Sequence, residues 1–406
     1  MKKILIFMIV IAFNSLFLGC NKKEKHQEIK QAQVLIDLTK PNLLDSLISP
    51  RQLMTEVEYI VLKPSESFIL TAAHKIQELD GKLFILDRNK QILVAYDLNG
   101  NFIGQVGNKG QGPEEYVEAL DFVVNPLRKS VLIFCRGSHS ILEFKSDLSF
   151  VRKSKIDGWY NQIGLLESEN LALYSFLDEN EGLFNIKLHD YNGKFLKFKM
   201  EHPLVKGYVP SDYSGFISGN YYTYPLSSII YKIDENGIED FPAYEINFLD
   251  KRSEDLRFDH TGFKFNNMEN PEAILTKFEV GREGKELMFY YSFFEGTYVG
   301  FTLGVILSGG QSFGHLSMKH WPKTKNDIFN LLFFAGPYNL PSYNVSNGFY
   351  YVATNIDAIA AFSDQIKNEN TFNHLTKLDP DLYKILINNP DLEYPIIMKF
   401  KLRERI

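Results

Sequence analysis

Ile92-Leu-Val-Ala-Tyr-Asp-Leu-Asn-Gly-Asn-Phe-Ile103 has three echoes further along the chain. They are Ile141-Leu-Glu-Phe-Lys-Ser-Asp-Leu-Ser-Phe-Val151, Ile186-Lys-Leu-His-Asp-Tyr-Asn-Gly-Lys-Phe-Leu196 and Ile229-Ile-Tyr-Lys-Ile-Asp-Glu-Asn-Gly-Ile238. Each is a β-rich run, a turn and a second strand. Asp97, Asp147, Asp190 and Asp234 lie 50, 43 and 44 residues apart. The Asn-Gly pairs supply the positive φ that tight hairpin turns require, and the aspartate caps the turn through its side chain. Upstream of each hairpin stands one more strand: Leu83–Asp87, Val131–Cys135, Leu171–Phe176 and Tyr221–Tyr224. A repeat of this length with about four short strands is the blade of a β-propeller, which stacks on its neighbours because it cannot bury its faces alone. Hairpins in a sandwich rarely keep such a period.

Composition agrees. Of 406 residues, 45% are hydrophobic and 14% aromatic, enough for a packed, strand-rich body. The net charge is −6, which argues against a general nucleic-acid binder. Met1-Lys-Lys3, the uncharged run Ile4–Leu18 and Gly19-Cys20 form an export signal whose apolar centre is short for a spanning helix. The other cysteine, Cys135, lies in an apolar strand and reads as core filling.

Leu16-Phe-Leu-Gly-Cys20 resembles the lipobox of bacterial lipoproteins, with Phe17 where that family usually has Leu. The resemblance implies lipidation at Cys20 after removal of residues 1–19. A second resemblance rests on Glu56–Leu62, Gly81–Asp87, Val94–Gly107, Lys109-Gly-Gln-Gly-Pro-Glu-Glu-Tyr116 and Asn389–Leu402. Together these are similar to the six-bladed β-propeller lipoproteins of Bacteroides-like bacteria, relatives of NHL-repeat propellers. The expected organisation is a signal peptide over 1–19, a lipidated tether over 20–45 and one all-β, six-bladed propeller over 46–406. In such rings an N-terminal strand completes the C-terminal sheet, here Val57–Leu62 against Ile396–Leu402. Short helices are expected at Asn355–Ile366 and Asp379–Ile387, the latter with a cap followed by proline. Residues 245–350 carry the last blades without clear boundaries, with a candidate insertion near Lys323–Ala335.

Chemistry is less legible. Gly107–Pro113 reads as an interblade turn rather than a phosphate cradle, since no Walker loop occurs and it joins strand to strand. Leu307-Ser-Gly-Gly-Gln311 matches an ABC-transporter pentapeptide without its companion motif and reads as a glycine turn. The nine histidines show no metal-ligand spacing, so neither a metal nor a cofactor is expected, although residues from several blades could still assemble a channel ion. No carboxylate pair is marked as acid and base, and no catalytic residue is assigned.

The leading reading is a non-enzymatic, lipid-anchored binding or scaffold protein of the cell envelope. It would be a monomer at the outer membrane, offering one propeller face to a glycan, peptide or envelope protein. The basic Asn21-Lys-Lys-Glu-Lys25 leaves open which side of that membrane it faces. The alternative is a channel-centred hydrolase or lyase of the NHL-like type. Lead-in segments and the turns joining second to third strands should share one rim. That assigns Asp87, Arg88, Lys109, Arg136, His139, Trp159, Tyr160 and Tyr213 to the candidate binding face.

Overall fold

A computed structural model describes residues 34–37, 50–175, 184–201, 217–223, 228–236, 240–247, 272–295, 298–313, 332–333, 343–354, 375–389 and 394–406. Cys20, Tyr213, the expected helix at Asn355–Ile366 and all but residues 332–333 of the candidate insertion near Lys323–Ala335 lie outside these residues.

Six antiparallel sheets follow one another along the chain. The first blade is Lys75–Leu79, Lys82–Asp87, Ile92–Asp97 and Phe102–Gln105. The second is Asp121–Asn125, Ser130–Cys135, Ser140–Lys145 and Phe150–Lys155. The third is Gln162–Leu165, Leu171–Tyr174, Phe184–His189 and Phe195–Glu201. The fourth is Ile217–Ser218, Tyr221–Thr223, Ile229–Lys232 and Phe241–Asn247, and the fifth is Glu272–Val280, Leu287–Glu295, Tyr298–Ile306 and Ser312–Phe313. Tyr343–Ser346, Phe349–Ala353 and Ile396–Leu402 make the sixth, whose outer strand is the N-terminal Met54–Val61 paired antiparallel to Ile396–Leu402. The protein is therefore a six-bladed β-propeller closed by its two ends, which removes the edge an open array would expose.

The turn chemistry follows from the repeat. Asp97 Oδ1 accepts the amides of Asn99 and Asn101, and Asp190 Oδ1 those of Asn192 and Lys194. Asp147 and Asp234 cap Ser149 and Asn236 in the same way. Gly100 and Gly193 sit at φ +79° and +89°. Each also packs against the end of the preceding blade's outer strand, Gly100 on the Val61 carbonyl and Gly193 on that of Lys155. Glycine is required there twice over, for its conformation and for the close approach.

One expectation needs correction. Residues 20–45 are not wholly a tether, because Val34–Asp37 pairs in parallel with Tyr244–Asn247 as a fifth, outermost strand of the fourth blade. The β-branched Val34 and Ile36 suit an edge strand, the pairing satisfies exposed backbone groups, and Ile36 is buried with Tyr244, Ile246 and Phe278. The C-terminal helix runs over Pro380–Asn388, with the Asp379 carboxylate accepting the Leu382 amide at 3.0 Å. Among the described residues no helix is long and apolar enough to cross a membrane.

Candidate functional site

The innermost strands line the central axis, and an inner strand has a row of backbone amides without a sheet neighbour. Here adjacent blades satisfy them with side chains. Ser218 Oγ donates to Glu279 Oε2 at 2.7 Å, and Asn344 Nδ2 donates to Glu279 Oε1 at 2.9 Å. Asn344 Oδ1 accepts the Ile76 amide at 2.9 Å, and Gln77 Oε1 accepts that of Val124 at 3.0 Å. Lys75 Nζ lies 2.9 Å from Asp121 Oδ1, while Asp121 Oδ2 accepts the Ile163 amide at 2.9 Å. The belt passes from the fourth blade through the fifth, sixth, first and second to the third. Its carboxylates are committed to neighbouring strands. Among the described residues no three His, Cys, Asp or Glu side chains come together as a metal group.

Positive charge gathers beside this belt. Burial, together with Arg88 and Lys75, lowers the Lys277 ammonium to about 8, opposed by Glu279 and Asp121. Burial and Arg88 likewise hold His74 below its ordinary value. The His74 Nδ1 accepts the Arg88 amide at 3.1 Å, and the Arg88 Nε is buried without a hydrogen-bond partner. Between about pH 8 and pH 10.5 the unfolded chain holds more protons at Lys277 than the folded one, so this residue's penalty on folding is relieved as pH rises through that window. Lys277→Met should therefore flatten the rise in stability on the alkaline side. Thermal melts of both proteins from pH 6 to about 11 check this, the slope following proton linkage.

The rim is a chain of contacts. Lys109 Nζ donates to Lys90 O and Gln91 Oε1, and the Ala119 amide donates to Gln91 O. Glu118 Oε1 accepts the Gly137 amide and lies 3.7 Å from Arg136 Nε. The His139 ring meets Trp159 edge-on at 4.9 Å. The turn carrying Arg88, the lead-in bearing Lys109, the turn of Arg136 and His139, and the lead-in bearing Trp159 are thus linked from the first blade to the third.

The assigned residues differ in environment. Trp159 is 56% exposed, whereas Tyr160 is buried at 1% and donates its hydroxyl to Asp157 O. Asp87 is also buried, its carboxylate accepting the Thr71 hydroxyl and amide and the Lys90 amide. Tyr160 and Asp87 therefore belong to packing and turn architecture, whereas Lys109 and Trp159 are exposed and Arg88, Arg136 and His139 are half-buried. The glycine-rich loop holds its own anion. Glu115 Oε2 accepts the Gly112 amide and fills the space beside Gly110, as an interblade turn requires. Leu307–Gln311 closes a turn through the Gly310 amide on Leu307 O, and Cys135 is buried in the core.

The protein is thus a six-bladed β-propeller whose first three blades share a rim of lead-in segments and turns. The family model described as "Domain of unknown function (DUF4934)" matches residues 34–388, and the chain belongs to that family. A solved structure described as a "putative exported protein" from Bacteroides fragilis is similar over 91% of this chain and 99% of its own, at 16% identity and a TM-score of 0.62. A member of the DUF4221 family from Bacteroides vulgatus aligns over 87% of this chain and 98% of its own, at 11% identity and a TM-score of 0.49. No curated protein matches the sequence.

Proposed function

We propose that the protein is a lipid-anchored binding or scaffold protein of the bacterial cell envelope, held by Cys20 and offering its rim to a glycan, peptide or envelope protein. The observation that carries the binding reading is the continuous rim from Arg88 to Trp159, where an exposed indole stands against His139 and the chain of contacts runs on through Arg136 and Lys109. Aromatic faces beside polar tips suit polar ligands. Binding is favoured over channel-centred hydrolysis or lysis because Asp121 and Glu279 are spent on hydrogen bonds between blades. Anchoring is supported by the basic start, apolar centre and Gly19-Cys20 ending of the leader, and export by the description of the similar Bacteroides fragilis protein. The NHL-like kinship rests on the glycine-rich motif Gly110–Tyr116 and the strand repeat.

Cys20→Ser should abolish incorporation of labelled fatty acid and release the protein from the membrane fraction, since acyl chains are what hold a soluble body to a bilayer. Labelling that persists in the variant contradicts the anchor.

A further inference from the structure

The first three blades contain the same local device, and the third has altered it. In each, the residue before the hairpin turn pairs across strands with a phenylalanine after it: Tyr96 with Phe102, Phe144 with Phe150, and His189 with Phe195. A register shift precedes the pair each time, so the three are structurally equivalent. The rings meet edge-on at 5.4, 5.6 and 5.7 Å.

In the first blade the pair is covered from within the chain, Phe68 stacking on Phe102 at 5.3 Å. In the second, Tyr116 and Gly107 of the long lead-in pack beside Phe144. The segment before the third blade, Ile156–Asn161, is shorter than either. Phe195 is left 42% exposed and its neighbour Phe198 46%. A cavity of about 700 Å³ opens there, with Tyr160, Phe195 and Phe198 in its walls.

The substitutions under that opening are polar. Two residues before the paired ring the first and second blades place Val94 and Leu142, both in the apolar core. The third places Lys187, 7% exposed, and follows it with His189, 1% exposed. Both line the cavity, and the His189 Nδ1 has no hydrogen-bond partner. Lys187 Nζ lies 5.4 Å from the Tyr160 ring centre and 5.6 Å from that of Phe198. An ammonium and an imidazole thus stand where the repeat otherwise has hydrocarbon, and the buried, unpartnered His189 Nδ1 indicates a polar ligand. Lys155 and Lys194 add two more positive charges to the walls, against one carboxylate, Asp157. Burial lowers the His189 imidazole below its ordinary range, so it is neutral at pH 7, with one nitrogen to donate and one to accept.

We propose that this cavity at the junction of the second and third blades is a binding site for a six-membered ring that has an apolar face and bears a carboxylate. The ring face would lie against Phe195 and Phe198, with the carboxylate on Lys187 and Lys194 and a hydroxyl or carbonyl on His189. A uronic acid unit of a glycan and an aromatic acid share that chemistry. The site adjoins the rim at the lead-in Ile156–Asn161 and does not depend on the anchor.

Calorimetric titration of the soluble chain with D-galacturonate, 2-naphthoate and neutral D-galactose tests the inference. At least one acid should bind with a dissociation constant of about 1 mM or tighter, and D-galactose should not. The preferred acid distinguishes a sugar from an aromatic source. Lys187→Leu and His189→Phe restore the residues of the second blade, so each should keep or raise the melting temperature while weakening binding about tenfold or more. Lys194→Ala, at an exposed turn, gives a variant whose folding is not at stake and should weaken binding as well. No heat with either acid at that concentration, equal binding of D-galactose, or wild-type affinity in all three variants overturns the proposal.

Discussion

Asp240→Ala should lower stability by about 3–5 kcal/mol, because it leaves a buried ammonium without its carboxylate. Lys199 on the outer strand of the third blade is 1% exposed and places Nζ 2.7 Å from Asp240 Oδ1, just ahead of the fourth blade's outer strand. Asp240 also accepts the Asp234 amide at 2.7 Å and the Tyr222 hydroxyl at 3.0 Å, so one carboxylate ties two blades and a turn together. Removing both charges is a different experiment. Lys199→Met with Asp240→Leu should be less damaging than Asp240→Ala alone, since an apolar pair of similar volume avoids the stranded charge. Melting temperatures of the single and double variants check the order, and a single variant as stable as wild type would contradict the buried pair.

Gly100→Ala should cost about 2–4 kcal/mol, combining a positive-φ penalty with overpacking. A Cβ at this position would lie 2.0 Å from the Val61 carbonyl oxygen, and the Gly100 carbonyl accepts the Lys63 amide at 2.8 Å. The substitution must therefore push away the strand that closes the ring. Gly81→Ala is the matched control. It has φ +70° and nothing within 4 Å of the added carbon, so only the conformational cost of about 1–2 kcal/mol applies. Equal melting temperatures for the two variants would show that close approach to the closing strand contributes nothing.

The parts of the fold visible in the sequence are those written in local chemistry. The aspartate caps lie within four residues of the amides they accept, so the Asp-x-Asn-Gly pattern shows them directly. Ring closure is legible through the resemblance, in which an N-terminal strand completes the C-terminal sheet, and Val57–Leu62 and Ile396–Leu402 are the runs that fit it. The polar belt was not legible. Its Ile76–Asn344 bond joins residues 268 apart, and a lone asparagine in a strand carries no mark of the amide it will meet. Val34–Asp37 was overlooked because four residues inside a polar stretch give little periodicity.

The rim shows the same limit at finer scale. Trp159 and Tyr160 are adjacent aromatics, but successive side chains in extended chain point to opposite sides, and only the first reaches solvent. Lys187 and His189 did carry a signal. They stand in the quoted repeat where Val94 and Tyr96 stand in the first blade, and reading the repeat for departures as well as matches would have exposed them.

Binding of an envelope ligand at the rim is tested most directly by retention of the protein on an array of envelope glycans and proteins. Wild type should be retained, whereas Trp159→Ala and Lys109→Ala should lose retention with stability changed by less than about 1 kcal/mol, as expected for exposed side chains. Retention of both variants at the wild-type level, or loss of retention only through a large drop in melting temperature, would contradict it.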